Sequence, residues 1–318
     1  MKQVLSFLLL IPGLLSAQKV INAETIADGE ITISEKVTIP KINSGYTLWL
    51  PQGKTAGMIV FIHENRDTIN REPIVDLAIQ NQLSVLYTTT CNRLEFLFEQ
   101  SKMRELEDYI FEVITKYDIP KDNLFYCGMS LEGTRVLKMA AFSQTSQSKH
   151  HLIPKAIVIC DAPLDMVRFY RECKKASELN LNPIAASEGE WVSSYLKNNL
   201  QGTPQEKMKE YIDYSPFCYT AENGGNAGYF KNIYLRAYTE LDVNWWIANR
   251  GKDYYSMNAV DLAALVNQLK ISGSKKAELI ITENKGYRED GSRHPHSWSI
   301  VNEKELVDWF VALISEKH

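Results

Sequence analysis

The chain has 318 residues, 45% of them hydrophobic and 23% charged, so it is long enough to bury a large core without covalent staples. Its net charge of −4 and the lack of a basic tract argue against nucleic acid as a partner. Five widely spread cysteines (Cys91, Cys127, Cys160, Cys173, Cys218) form no C-x-x-C pair, so neither a disulfide framework nor a zinc site is indicated, and no metal or cofactor is expected.

The opening stretch, MKQVLSFLLLIPGLLSAQ, carries Lys2, an apolar run and a small Ser16-Ala17 pair. This is the layout of a secretory signal peptide, and the run is shorter than the roughly 20 residues that cross a bilayer. Residues 1–17 are expected to be removed, which leaves a secreted or periplasmic chain without a stable membrane span. A buried N-terminal helix or an uncleaved anchor is the competing reading. No repeat or Gly/Ser linker divides residues 18–318, so one domain with an insertion is expected.

EITISEKVTIP and GYTLWLP alternate apolar and polar residues, which predicts antiparallel strands joined by an Asn43-Ser44-Gly45 turn. The texture then changes. Nearly continuous apolar runs at 57–63, 83–90, 123–128, 155–162, 232–239 and 277–282 predict strands buried on both faces. Helical periodicity at about 71–82, 96–117, 131–142, 256–270 and 302–315 falls between them. Alternating strands and helices imply right-handed crossovers, hence an α/β fold with a mostly parallel, doubly wound sheet. Residues 165–215 break the rhythm; they are polar and mostly helical, and are expected to form a lid inserted after the strand ending at Asp161. Cys127 and Cys160 sit in strand-like runs as small core residues.

Ligands of an open parallel sheet bind beyond the carboxyl ends of its strands. There, Gly128-Met129-Ser130 lies between a strand and a helix, the setting of a nucleophile elbow, although a serine at that place is also a common helix cap. Downstream, Asp242 follows one predicted strand, with Glu240 as a nearer rival. His296 precedes the last helix, with His294 two positions earlier. The order Ser, Asp, His suits a hydrolytic triad.

With these residues the chain resembles the α/β-hydrolase superfamily, particularly its secreted esterase and serine-peptidase-like members, over essentially the whole mature length. DYSPF at 213–217 also looks like the re-entry segment of lidded members. The resemblance implies the α/β-hydrolase fold, with Ser130 as nucleophile, His296 as general base and Asp242 as the orienting acid. It also implies an oxyanion hole built from the backbone N–H of Leu131 and that of Glu64 or Asn65.

Two glutamates depart from the family pattern: Glu132 replaces the second elbow glycine, with Gly133 one place later, and Glu64 follows His63 where glycine is usual. A carboxylate aimed at the oxyanion opposes the charge that develops there. One of the two is expected to be held by an arginine, among Arg66, Arg93, Arg135 and Arg168, and to face away.

Trp245, Trp246, Tyr254 and Tyr255, with Arg93 and Arg168, are expected near the substrate pocket, although aromatic side chains more often fill cores and lids. The leading function is hydrolysis of a small-molecule or carbohydrate-linked carboxylic ester through a Ser130 acyl-enzyme. The alternatives are a serine peptidase of the prolyl-peptidase type, or a hydrolase-fold binding protein that has lost turnover. Acyl and alcohol specificity and oligomeric state are not legible in the residues.

Overall fold

The computed structural model describes residues 17–24, 29–34, 37–65 and 72–316. The expected signal segment therefore lies, apart from Ala17, outside the described residues. In chain order the elements are β1 (Gln18–Glu24), β2 (Glu30–Ser34), β3 (Val37–Pro40), β4 (Ser44–Leu50), β5 (Gly57–Phe61), α1 (Pro73–Gln80), β6 (Leu83–Thr89), α2 (Gln100–Lys116) and β7 (Leu124–Met129). There follow α3 (Leu131–Phe142), β8 (Ala156–Cys160), α4 (Met166–Leu179), α5 (Pro183–Asn199), α6 (Met208–Tyr214), β9 (Tyr234–Glu240), α7 (Val243–Arg250), α8 (Ala259–Ile271), β10 (Ala277–Thr282) and α9 (Glu303–Ser315).

The continuous apolar runs become central strands, because a strand covered on both faces has no reason to alternate. β5, β6 and β8 are buried along their whole length. The eight-stranded sheet runs β1-β4-β6-β5-β7-β8-β9-β10. β4 pairs antiparallel with both neighbours, and the strands from β6 to β10 are parallel. One face packs on α2, α3 and α8 through Leu106, Ile110, Val136, Leu137, Leu262 and Leu265. The other packs on α1 and α9 through Ile74, Val75, Leu306, Val307 and Phe310. This is the doubly wound α/β architecture expected from the sequence. β5 leads to β6 on one side and to β7 on the other, so the winding reverses between β5 and β7, and their carboxyl ends flank the crevice where such sheets bind ligands.

The N-terminal strands pair differently from expectation. Glu30–Ser34 and Val37–Pro40 join each other in a separate two-stranded sheet. Ser44–Leu50 instead enters the main sheet between β1 and β6, and Ser44 and Gly45 lie in the strand rather than in a turn. The physical reason is burial: Tyr46, Leu48 and Leu50 point into the main core, a demand that the small sheet cannot meet. β1 was not anticipated, since QKVINAE has no apolar run and Ile21 remains 64% exposed; backbone pairing to the edge of β4, with Val20 packed on the core, makes it a strand.

Residues 165–215 fold as α4, α5 and α6 around their own apolar cluster, which includes Phe96, Val167, Tyr170, Val192, Leu196 and Tyr211. Asp165 caps α4 by accepting from Val167 N and Arg168 N, and Asn182 caps α5 by accepting from Ala185 N.

Lys138 of α3 reaches beneath this segment. Its Nζ donates to the Tyr214 carbonyl at 3.1 Å and lies 3.7 Å from the centre of the Tyr214 ring. Removal from water pushes its pKa down to about 7. Because the folded value lies below the unfolded one of about 10.4, the unfolded chain binds the additional proton between them, and folding becomes more favourable as pH rises through that window. Thermal unfolding of wild type and Lys138→Met across pH 6–10 is therefore expected to show wild type gaining about 3–4 kcal/mol relative to the variant between pH 7 and pH 10.

Candidate active site

β7 ends at Met129 and α3 starts at Leu131, so Ser130 occupies the turn between them. Its backbone is at φ 54°, ψ −129°, a region that L-residues rarely adopt, and its side chain makes no capping hydrogen bond. The helix-cap reading is thus not realised. The turn is this tight because two glycines allow it. A Cβ on Gly128 would stand 2.4 Å from the Glu132 carbonyl, and one on Gly133 would stand 2.6 Å from Ala162 Cβ. Gly133, one place beyond the usual position, provides the close helix-to-strand approach and leaves the Glu132 side chain to face the cleft.

Ser130 N donates to the Cys160 carbonyl at 2.9 Å, which ties the elbow to the end of β8. The next residue, Asp161, is only 5% exposed, and its Oδ2 accepts from His296 Nδ1 at 2.6 Å. A carboxylate opposite Nδ1 keeps the proton on that nitrogen and leaves the lone pair on Nε2, the tautomer a general base needs. Asn258 Nδ2 donates to the Asp161 carbonyl at 2.9 Å and fixes the same turn. The Trp246 ring meets His296 edge-on at 6.4 Å between centres.

The partner of His296 is therefore Asp161, and Asp242 is placed elsewhere. Asp242 caps α7 by accepting from Trp245 N, and its other oxygen lies 2.8 Å from Arg293 Nη2. Its local sequence makes it a better cap than orienting acid. Glu240 is committed too: burial favours its neutral form, but donors from Lys285 N, Gly286 N, Thr282 and Arg293 outweigh burial and hold its pKa below the usual carboxylate range. His294 turns its Nδ1 to the His296 carbonyl at 2.9 Å and packs against Trp245 and Trp246. Burial first, then Arg288, pushes its pKa down to about 4, so it stays neutral and braces the His296 backbone.

After β5, His63 Nδ1 donates to the Glu64 carbonyl at 2.7 Å. A trans peptide directs its C=O and N–H oppositely, so the Asn65 N–H points away from that ring. The Glu64 carboxylate lies 2.8 Å from Arg93 Nη2. Of the other arginines named as partners for the glutamates, Arg66 lies outside the described residues and Arg168 of α4 pairs with Asp261. Phe61, His63, Met129, Glu132, His296 and Trp298 line one open cleft at the switch point.

The side chains expected in the substrate pocket are placed otherwise. Arg168 forms a two-pronged ion pair with buried Asp261, at 2.5 and 2.6 Å, because that carboxylate also anchors Leu164 N and Asp165 N at the start of α4. Trp245 and Trp246 back the histidines, Arg93 holds Glu64, and Tyr254 and Tyr255 are exposed on the surface. The five cysteines are free, and among the described residues no group of acidic, histidine or cysteine side chains is arranged to hold a metal.

The feature that could have located Asp161 is its place directly after the apolar run AIVIC, at a strand end like that of Ser130. Asp242, after the next strand, suits the Ser-Asp-His order equally well, so chain order alone does not separate the two.

No family model matches the chain, and no curated protein is recognisably similar to it in sequence. Solved structures do resemble it. An esterase of the fungus Rhizomucor miehei shares 12% identity at a TM-score of 0.51, over 94% of this chain and 83% of that one. Carboxyl esterase 2 of the mycorrhizal fungus Tuber melanosporum shares 12% at 0.52, over 93% and 87%. The acylaminoacyl peptidase of Pyrococcus horikoshii shares 14% at 0.52, and the match covers 96% of this chain but only 42% of the peptidase. At such identities the likeness is one of fold.

Proposed function

We propose that this chain, which has the α/β-hydrolase fold, is an exported serine hydrolase that cleaves carboxylic esters. The observation that supports the reading best is the strained Ser130 elbow joined through Cys160 to Asp161, which in turn holds His296 by Nδ1.

In this reading Ser130 Oγ attacks the ester carbonyl carbon while His296 Nε2 takes the hydroxyl proton. The charge that forms on the carbonyl oxygen meets the Leu131 N–H at the start of α3 and the Glu64 or Asn65 N–H of the β5 loop. The imidazolium is stabilised by Asp161 and returns its proton to the departing alcohol. Water, deprotonated by His296, then releases the carboxylic acid and restores Ser130. Every step uses groups of the chain and solvent alone. The cleft's mixed lining of Phe61, Met129 and Trp298 with His63 and Glu132 suits a substrate with one apolar and one polar part.

A fluorophosphonate probe tests the reading directly, because it phosphonylates only an activated serine. Incubation of the mature chain is expected to give one adduct per molecule, mapped by mass spectrometry to the peptide containing Ser130, together with hydrolysis of an activated short-chain ester. Absence of both adduct and hydrolysis would favour a hydrolase-fold binding protein instead.

A further inference from the structure

The two halves of the proposed oxyanion hole lie on separate segments, Leu131 on α3 and Glu64-Asn65 after β5, and Arg135 is the side chain that joins them. It was considered above as a partner for Glu132, one helical turn away. Its guanidinium meets three main-chain carbonyls. Nη1 donates to the Ile62 carbonyl at 2.9 Å, Nη2 to the Arg93 carbonyl at 2.5 Å, and Nε to the Glu95 carbonyl at 2.6 Å. Ile62 immediately precedes His63-Glu64-Asn65, and Arg93 and Glu95 belong to the loop after β6.

We infer that Arg135 is a positioning residue, which fixes the β5 loop and the β6 loop to the helix that carries the nucleophile. The inference rests on the serine-hydrolase reading for its catalytic consequence and on geometry alone for its structural one. The side chain belongs to a residue only 3% exposed, and a buried cation persists only where acceptors surround it. Here those acceptors are backbone carbonyls of two loops. A planar fork can donate in three diverging directions at once, which a lysine ammonium on a flexible stem does not reproduce.

The second consequence concerns Glu64. Arg135 holds the Arg93 main chain, and the Arg93 side chain holds the Glu64 carboxylate. The β6 loop is otherwise internally braced: Asn92 Oδ1 accepts from Leu94 N, and Glu95 Oε1 accepts from Leu97 N. A rigid loop therefore carries the arginine that draws Glu64 toward itself. Through this chain of contacts Arg135 keeps a negative charge away from the place where the reaction generates another.

The test compares wild type with Arg135→Gln and Arg135→Lys, the lysine variant covering the case in which loss of charge prevents folding. Steady-state hydrolysis of an activated ester and backbone ¹⁵N relaxation of residues 62–65 and 93–97 are measured on each. In a folded variant, order parameters in both loops are expected to fall from about 0.85 toward 0.6 while those of β7 and β8 hold. The expected kcat falls up to about 10²-fold with KM little changed, the size of effect that follows loss of an oxyanion donor. Unchanged loop order in a folded variant overturns the inference whatever the activity, and loosened loops with wild-type kcat overturn its catalytic part. A wild-type protein without any turnover refutes the hydrolase reading instead, and the relaxation data then still decide whether Arg135 ties the loops.

Discussion

Asp161→Asn is expected to lower kcat about 10⁴-fold on an activated ester with KM little changed, the magnitude seen when the acid of a serine triad becomes an amide. The reason is tautomeric. With a carboxylate at 2.6 Å, His296 Nδ1 carries the proton and Nε2 is free to accept one from Ser130. An asparagine can turn its NH2 toward Nδ1, which then becomes the acceptor; the proton moves to Nε2, and the base is lost. Asp242→Asn is the matched control. Asp242 touches Trp245 N and Arg293 rather than His296, and asparagine caps a helix as well as aspartate does, so its replacement is expected to keep kcat within a few-fold and to cost at most about 1 kcal/mol of stability through the lost ion pair with Arg293. Steady-state kinetics on both variants, with thermal melts, separate the two assignments. A large kcat loss in Asp242→Asn and a small one in Asp161→Asn would reverse them.

That contrast shows where the sequence was legible and where it was not. The parallel strands and the helices between them were readable because each has to bury its own apolar side chains, and periodicity records that demand. β1 was not readable, since an edge strand such as Gln18–Glu24 exists through partners supplied by β4. The pairing of Ser44–Leu50 failed for a related reason: alternation shows that Tyr46 and Leu48 face a core without showing which core. Within the site, Ser130 and His296 were marked by local setting, a strand-turn-helix and a loop before the last helix. The choice between Asp161 and Asp242 depends on which strand end the His296 loop crosses, and that is fixed by packing among distant segments. The same holds for Arg135, whose three carbonyl partners lie 40 or more positions away along the chain.

The strain at Ser130 makes a second large effect testable, in which loss of activity and gain of stability separate. Ser130→Ala and Ser130→Gly are both expected to lower kcat about 10⁶-fold, since each removes the attacking oxygen. Their stabilities should differ. Alanine keeps a Cβ at φ 54°, ψ −129° and so retains the strain, of order 1–3 kcal/mol, that such a backbone stores. Glycine adopts the same angles freely, and its own entropic cost of about 0.5–1 kcal/mol offsets only part of that relief. Ser130→Gly should therefore be more stable than Ser130→Ala by about 1 kcal/mol, a rise of roughly 1.5 °C in Tm for a chain of this length. Equal melting temperatures would mean that the turn is not strained in solution. A higher Tm for the glycine variant would show that the fold holds Ser130 in a costly conformation, as a site built to raise a hydroxyl above the sheet requires and a mere helix cap does not.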